Sequence, residues 1–106
     1  MQKIDNKEEL NTVLKTNSAV LLYFSGKSCS VCHVLRPKIE DSLQKNFPLI
    51  KPILVEDSLE ISTHFTVFSN PTIIVFFEGK EFKRYGRNIS LDIFNSEINR
   101  IYKMVF

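Results

Sequence analysis

The apolar run Ala19-Val20-Leu21-Leu22-Tyr23-Phe24, followed after a short polar stretch by a switch to helical periodicity, constrains this chain more than any other feature. The run is bounded by Asn17-Ser18 and Ser25-Gly26 and is rich in strand formers, which predicts a strand buried on both faces. Beyond Ser28, the residues Val31, Leu35, Ile39, Leu43 and Phe47 recur at four-residue spacing. That spacing predicts a helix from about Cys29 to Asn46, with Pro37 as an internal kink. A central strand feeding a helix returns by a right-handed crossover to a parallel neighbour. The next apolar run, Leu49 to Val55, is the candidate for that neighbour, although Pro52 within it cannot donate a ladder hydrogen bond.

The remaining segments complete a layered α/β arrangement. Asp5 or Asn6 can cap a first helix over Lys7 to Thr16, where Leu10, Val13 and Leu14 share one face. Leu59, Ile61, Phe65 and Val67 predict one or two helical turns before the loop Ser69-Asn70-Pro71. Thr72 to Phe77 and Glu81 to Tyr85, joined at Glu78-Gly79-Lys80, predict a β-hairpin. Ser90 then caps a last helix with an apolar stripe of Leu91, Phe94, Ile98, Ile101 and Val105. The order helix, strand, helix, strand, helix, hairpin, helix packs most economically as a mixed sheet covered by helices on both faces.

Composition narrows the class of activity. The 106 residues suit one domain, 1–106, with 43% hydrophobic and 25% charged residues, enough for a packed core and unlike a disordered chain. Fourteen Lys and Arg against twelve Asp and Glu leave a formal charge of +2, scattered along the chain. No nucleic-acid partner is expected, and the basic clusters at Lys80 to Arg87 and at Lys103 are expected to be solvated faces. The first residues hold no apolar run of signal-peptide type, and the longest apolar stretches fall far short of the roughly 20 residues needed to cross a bilayer. The expectation is a soluble, cytoplasmic protein without membrane association.

The chain has two cysteines, Cys29 and Cys32, placed where a buried strand gives way to a helix. A helix N-terminus carries unpaired N–H groups and a positive partial charge, which favours a thiolate at Cys29. Cys29 is therefore the candidate nucleophile. Cys32, almost one turn further in, is near enough to bond to Cys29 and is shielded by the helix, which suits a resolving thiol.

These residues resemble the thioredoxin family over nearly the whole length. The cysteine pair follows a strand, Pro37 stands at the helix proline, Asn70-Pro71-Thr72 resembles the family's cis-proline segment, and Gly79 and Gly86 match its hairpin glycine and the glycine beyond. The resemblance implies a thioredoxin fold, a central mixed sheet of four to five strands flanked by helices. It also implies protein-disulfide oxidoreductase activity through a mixed disulfide, with no cofactor or metal beyond a redox-active Cys29–Cys32 disulfide. Implied partners are disulfide-containing client proteins and an upstream thiol or flavoprotein reductase, with the chain acting as a monomer. By the same resemblance Pro71 is cis beside the cysteines, leaving the Asn70 backbone free to pair with a substrate strand, while Ser30, Val31 and Gly86 shape the site. Four residues depart from the pattern. Ser30-Val31 replaces Gly-Pro, Ser28 replaces a tryptophan, and Tyr23 replaces the buried aspartate that assists the resolving cysteine. A phenol of pKa about 10 is a poor base at neutral pH.

Other readings compete. Tyr23 can be a core residue with a bonded hydroxyl, His33 a solvent-facing residue or one that tunes Cys29, and His64 a surface histidine. Cys29 to His33 also fits a c-type haem attachment pattern, and Cys29, Cys32 and a histidine could begin a zinc site, but a second axial ligand or ligand pair is not evident. The stronger alternative is a thioredoxin-like peptide-binding or chaperone module with little turnover.

Overall fold

The computed structural model describes residues 1–106 as strand β1 (Gln2–Lys3), helix α1 (Lys7–Thr16), β2 (Ala19–Ser25), α2 (Ser30–Asn46), β3 (Lys51–Glu56), α3 (Leu59–His64), β4 (Thr72–Phe77), β5 (Lys80–Tyr85) and α4 (Leu91–Val105). The five strands form one sheet in the order β1-β3-β2-β4-β5. β3 runs parallel to β1 and β2, whereas β4 runs antiparallel to β2 and β5.

Residue alternation along the strands divides the core in two. Ala19, Leu21 and Tyr23 face a cluster with Ile39 and Leu43 of α2 and Phe94 and Ile98 of α4. Val20, Leu22 and Phe24 face the other side, with Leu10 and Leu14 of α1 and Ile61 of α3. All seven residues of β2 are buried. Fully burying one large apolar side chain contributes about 1.5 to 3 kcal/mol, so this central strand anchors both layers.

Local chemistry sets the helix starts. Asn6 accepts the Glu9 N–H at 2.9 Å, and Ser58 and Ser90 accept from Ile61 and Ile93 at 3.4 Å each. Side-chain acceptors of this kind satisfy amide donors that the first helical turn leaves free.

Three boundaries differ from those read in the sequence. β1 was not foreseen; it is two exposed residues long, and the Ile4 N–H extends its contact by donating to the Leu54 carbonyl at 3.0 Å. β3 begins at Lys51, because Leu49 lies in a turn with its N–H on the Tyr102 hydroxyl at 3.1 Å. β5 begins at Lys80, because the turn is only Glu78-Gly79, at φ 52° and 76°. Two successive positive φ values suit a two-residue hairpin turn whose twist matches its strands.

Candidate active site

The parallel strands β2 and β3 end at the same edge, where Ser25 is in register with Glu56. The chain leaves β2 through Gly26-Lys27-Ser28 and enters α2 with Cys29 as the N-cap residue, in extended conformation at φ −92° and ψ 98°. The helix thus starts at Ser30, in keeping with the expected start at about Cys29. As cap, Cys29 directs Sγ at the free amide end of the helix, and the Cys32 N–H donates to it at 3.3 Å. Cys29 and Cys32 form a disulfide with Cα atoms 5.3 Å apart. Cys29 is half-buried, whereas Cys32 is fully buried in the core beneath α2. The two sulfurs thus differ sharply in access.

Tyr23 stands below the pair. Its side chain is fully buried, and its hydroxyl donates to the Cys32 carbonyl at 2.6 Å. Burial pushes this hydroxyl up to about 12; Glu40 adds to the rise and Arg36 opposes it. At neutral pH Tyr23 is a neutral donor that tethers the first turn of α2, and it has no lone carboxylate oxygen to offer Cys32. An acid with a folded pKa above its unfolded value keeps its proton after the unfolded chain has lost it. Stability present below the unfolded pKa of about 10 is therefore lost as pH rises toward the folded value, by about 2 to 3 kcal/mol for a shift of this size. Tyr85 is also raised, mainly by burial with help from Glu97, so the whole-protein loss includes both. In denaturant melts, Tyr23→Phe is expected to remove the Tyr23 share of the alkaline loss, leaving a shallower decline than in the parent.

Around the cysteines the other residues sort clearly. Phe24 is in register with Thr72, which brings buried Pro71 to the end of β2, and the Asn70–Pro71 peptide bond is cis. Asn70 is exposed, and its Nδ2 lies 3.2 Å from where a Cβ on Gly26 would stand. Ser30 is exposed and Val31 is 36% exposed beside Cys29. His33 is exposed, with its Nε2 2.9 Å from the Lys27 carbonyl; its donor tautomer ties α2 to the preceding turn. Gly86 lies in the exposed loop between β5 and α4, and a Cβ there would meet nothing within 4 Å, so close approach does not require this glycine. His64 is exposed and packs edge-on to Phe65 at 4.8 Å, remote in sequence from the pair. No group of three or more His, Cys, Asp or Glu is arranged to hold a metal ion.

Asp57 was missed in the sequence. It follows β3 at φ 52°, its N–H donates to the Ser25 carbonyl at 3.1 Å, and its Oδ2 accepts the Lys27 N–H at 3.0 Å. A Cβ on Gly26 would lie 3.0 Å from Asp57 Oδ1. The carboxylate thus pins the turn that carries Cys29. The available signal was its place just beyond a strand parallel to β2, the edge at which open α/β sheets collect functional groups.

The thioredoxin family model matches residues 1–100. The chain belongs to the thioredoxin family. It is 37% identical over 82 residues to the thioredoxin of Mycoplasmoides gallisepticum, covering 76% of this chain and 81% of that one. It is 29% identical over 97 residues to the thioredoxin-like protein YdfQ of Bacillus subtilis, covering 90% and 86%. Among solved structures, thioredoxin from Trypanosoma brucei brucei superposes with a TM-score of 0.83 at 20% identity, over 95% of this chain and 89% of that one. Mitochondrial thioredoxin 3 of Saccharomyces cerevisiae, in oxidised form, gives 0.79 at 19% identity over 98% and 94%. Those two likenesses establish the shared fold. Family membership together with the Cys29–Cys32 pair makes this chain a thiol–disulfide oxidoreductase acting on disulfide substrates. No helix is long and apolar enough to cross a membrane.

Proposed function

We propose that this protein reduces disulfides of client proteins, with Cys29 as nucleophile and Cys32 as resolving thiol. The observation that carries the assignment is the unequal access of the two sulfurs at one helix N-terminus. In the reduced protein the Cys29 thiolate attacks one client sulfur. The client S–S bond breaks, a Cys29–client disulfide forms, and the departing client thiolate takes a proton. Cys32 then loses its proton and attacks Cys29 Sγ, which closes the internal disulfide and releases the second client thiol. Two electrons and two protons pass to the client, and an upstream dithiol or flavoprotein reductase restores the pair.

The surrounding residues fit this cycle. The cap geometry favours a Cys29 thiolate. Exposed Asn70 beside buried Pro71 offers unpaired backbone to an extended client segment, and Ser30 and Val31 meet its flank. Residues 1–106 are taken to act as one domain and as a monomer: β5 is an edge strand carrying Lys80, Glu81, Lys83 and Arg84, and charged edges oppose strand-to-strand association. The cytoplasm is the compartment assigned, since a dithiol reductant requires reducing surroundings.

In the reduced protein, substoichiometric alkylation is expected to label Cys29 first, with at least about tenfold preference, since thiol reactivity follows thiolate character and exposure. Labelling of Cys32 first, read by peptide mapping, would reverse the roles. Catalysis is tested by insulin reduction with dithiothreitol as donor. Acceleration above the dithiothreitol background supports the enzyme, whereas binding of unfolded chains without acceleration supports a docking module.

A further inference from the structure

Beside Cys29 lies a second feature, a slot of about 380 Å³ between the first turns of α2 and the segment that joins β5 to α4. Val31, Val34, Leu35 and Ile89 form its apolar walls, and Ser30 links it to the cysteine motif. Val31 and Val34 are 36% and 63% exposed, so the walls lie open to solvent next to the reactive sulfur. Lys38 and Arg87 complete the lining, which contains no acidic residue.

The two cations have no internal partner. Neither takes part in an ion pair, although most acids around them do. On α2, Glu40 is held by the Met1 amine and Arg36, and Asp41 by Lys45. Beyond the far wall, Glu97 is taken by Lys83 and Tyr85. Asp92, in the first turn of α4, is in ion-pair contact with neither Lys38 nor Arg87. Apolar walls with two uncompensated positive charges match a peptide that presents an apolar side chain with a carboxylate beside it.

We propose that this slot receives the apolar residue adjoining a client's disulfide, and that Lys38 and Arg87 select clients carrying an acidic residue next to it. The assignment rests on the disulfide-reductase function above and specifies its substrates. Lys38 and Arg87 act on encounter and docking and take no part in thiol exchange. Charge pairs at an exposed rim act mainly on association rate and weaken as salt screens them.

The test uses the full-length reduced protein in single-turnover reactions with three disulfides. Two are peptide disulfides in which the cysteine is followed by Leu-Glu or by Leu-Lys; the third is hydroxyethyl disulfide, which has no side chain to enter the slot. At low ionic strength the Leu-Glu peptide is expected to react about tenfold faster than the Leu-Lys peptide, with the advantage shrinking as salt is added. Lys38→Gln with Arg87→Gln is expected to bring the ratio near one, and Lys38→Glu with Arg87→Glu to reverse it. Both residues are exposed, so folding is expected to survive these changes. Equal rates for the two peptides in the parent, with hydroxyethyl disulfide still reduced, would overturn the slot and leave the reductase standing. A ratio untouched by charge reversal would overturn it equally. Failure to reduce any of the three would overturn the reductase function and the slot with it.

Discussion

Cys32→Ser is expected to turn a catalyst into a trap, in which clients accumulate as mixed disulfides on Cys29. In the parent, Cys32 N–H already points at Cys29 Sγ, and the Cα atoms are 5.3 Å apart, so the resolving attack is intramolecular and needs little reorganisation. Well-oriented intramolecular reactions reach effective molarities of about 10⁵ M or more, which an external thiol at about 1 mM cannot match. Steady-state insulin reduction should therefore fall on the order of 10³-fold or more, limited by release from the mixed disulfide. Because Cys32 is fully buried and serine is close in volume, the fold is expected to hold, at a cost of about 1 to 3 kcal/mol for a buried hydroxyl with few partners. Non-reducing gels of the variant mixed with oxidised client should show adducts that dithiothreitol dissolves. A Cys32→Ser protein that keeps parental turnover would show that resolution does not run through Cys32.

Tyr23→Asp carries the second large effect, and here activity and stability move in opposite directions. The parent has a fully buried phenol bonded to the Cys32 carbonyl, so the change removes ring volume, removes the donor and adds a carboxyl to an apolar cluster. Truncating a buried aromatic side chain costs about 3 to 5 kcal/mol. Burial also raises the new carboxyl above its unfolded pKa of about 3.9. Below that value both states are protonated; as pH rises through it, the unfolded chain ionises first, and stability falls until the folded carboxyl ionises too. The same ionisation supplies what Tyr23 lacks, a base close to Cys32. General-base assistance is worth about 10² to 10⁴-fold at best, so a gain of about tenfold in the resolving step is expected once the carboxyl is ionised. Stopped-flow reduction of a model disulfide across pH, beside denaturant melts, reads both quantities. A variant that is less stable and no faster at any pH would make Tyr23 a packing residue only, with the Cys32 proton leaving by water.

Much of this was visible in the sequence for physical reasons. The burial of β2 on both faces and the four-residue repeat of α2 are strong local signals, and between them they place Cys29 and Cys32 at a strand-to-helix junction. Tyr23 was legible as a buried residue with a satisfied hydroxyl, but its partner was not. The Cys32 carbonyl reaches it only because α2 folds back over β2, a contact between chain segments that no local pattern encodes. β1 was illegible because Gln2 and Lys3 are exposed and, apart from an ion pair between Lys3 and Glu56 of β3, join the sheet through backbone. Asp57 carries no local signal of its own; its importance arises from the parallel register that ends β2 and β3 side by side. Lys38 and Arg87 are far apart in sequence and meet around one slot only through tertiary packing.

The electron transfer itself is most directly tested by mixing stoichiometric reduced protein with insulin, without any other reductant, and counting thiols and disulfides on both partners by mass. If Cys29 and Cys32 carry the electrons, each insulin disulfide opened is matched by one Cys29–Cys32 disulfide formed, and Cys29→Ser opens none. Insulin that stays oxidised while the protein retains both free thiols, whether or not the two bind, would contradict it.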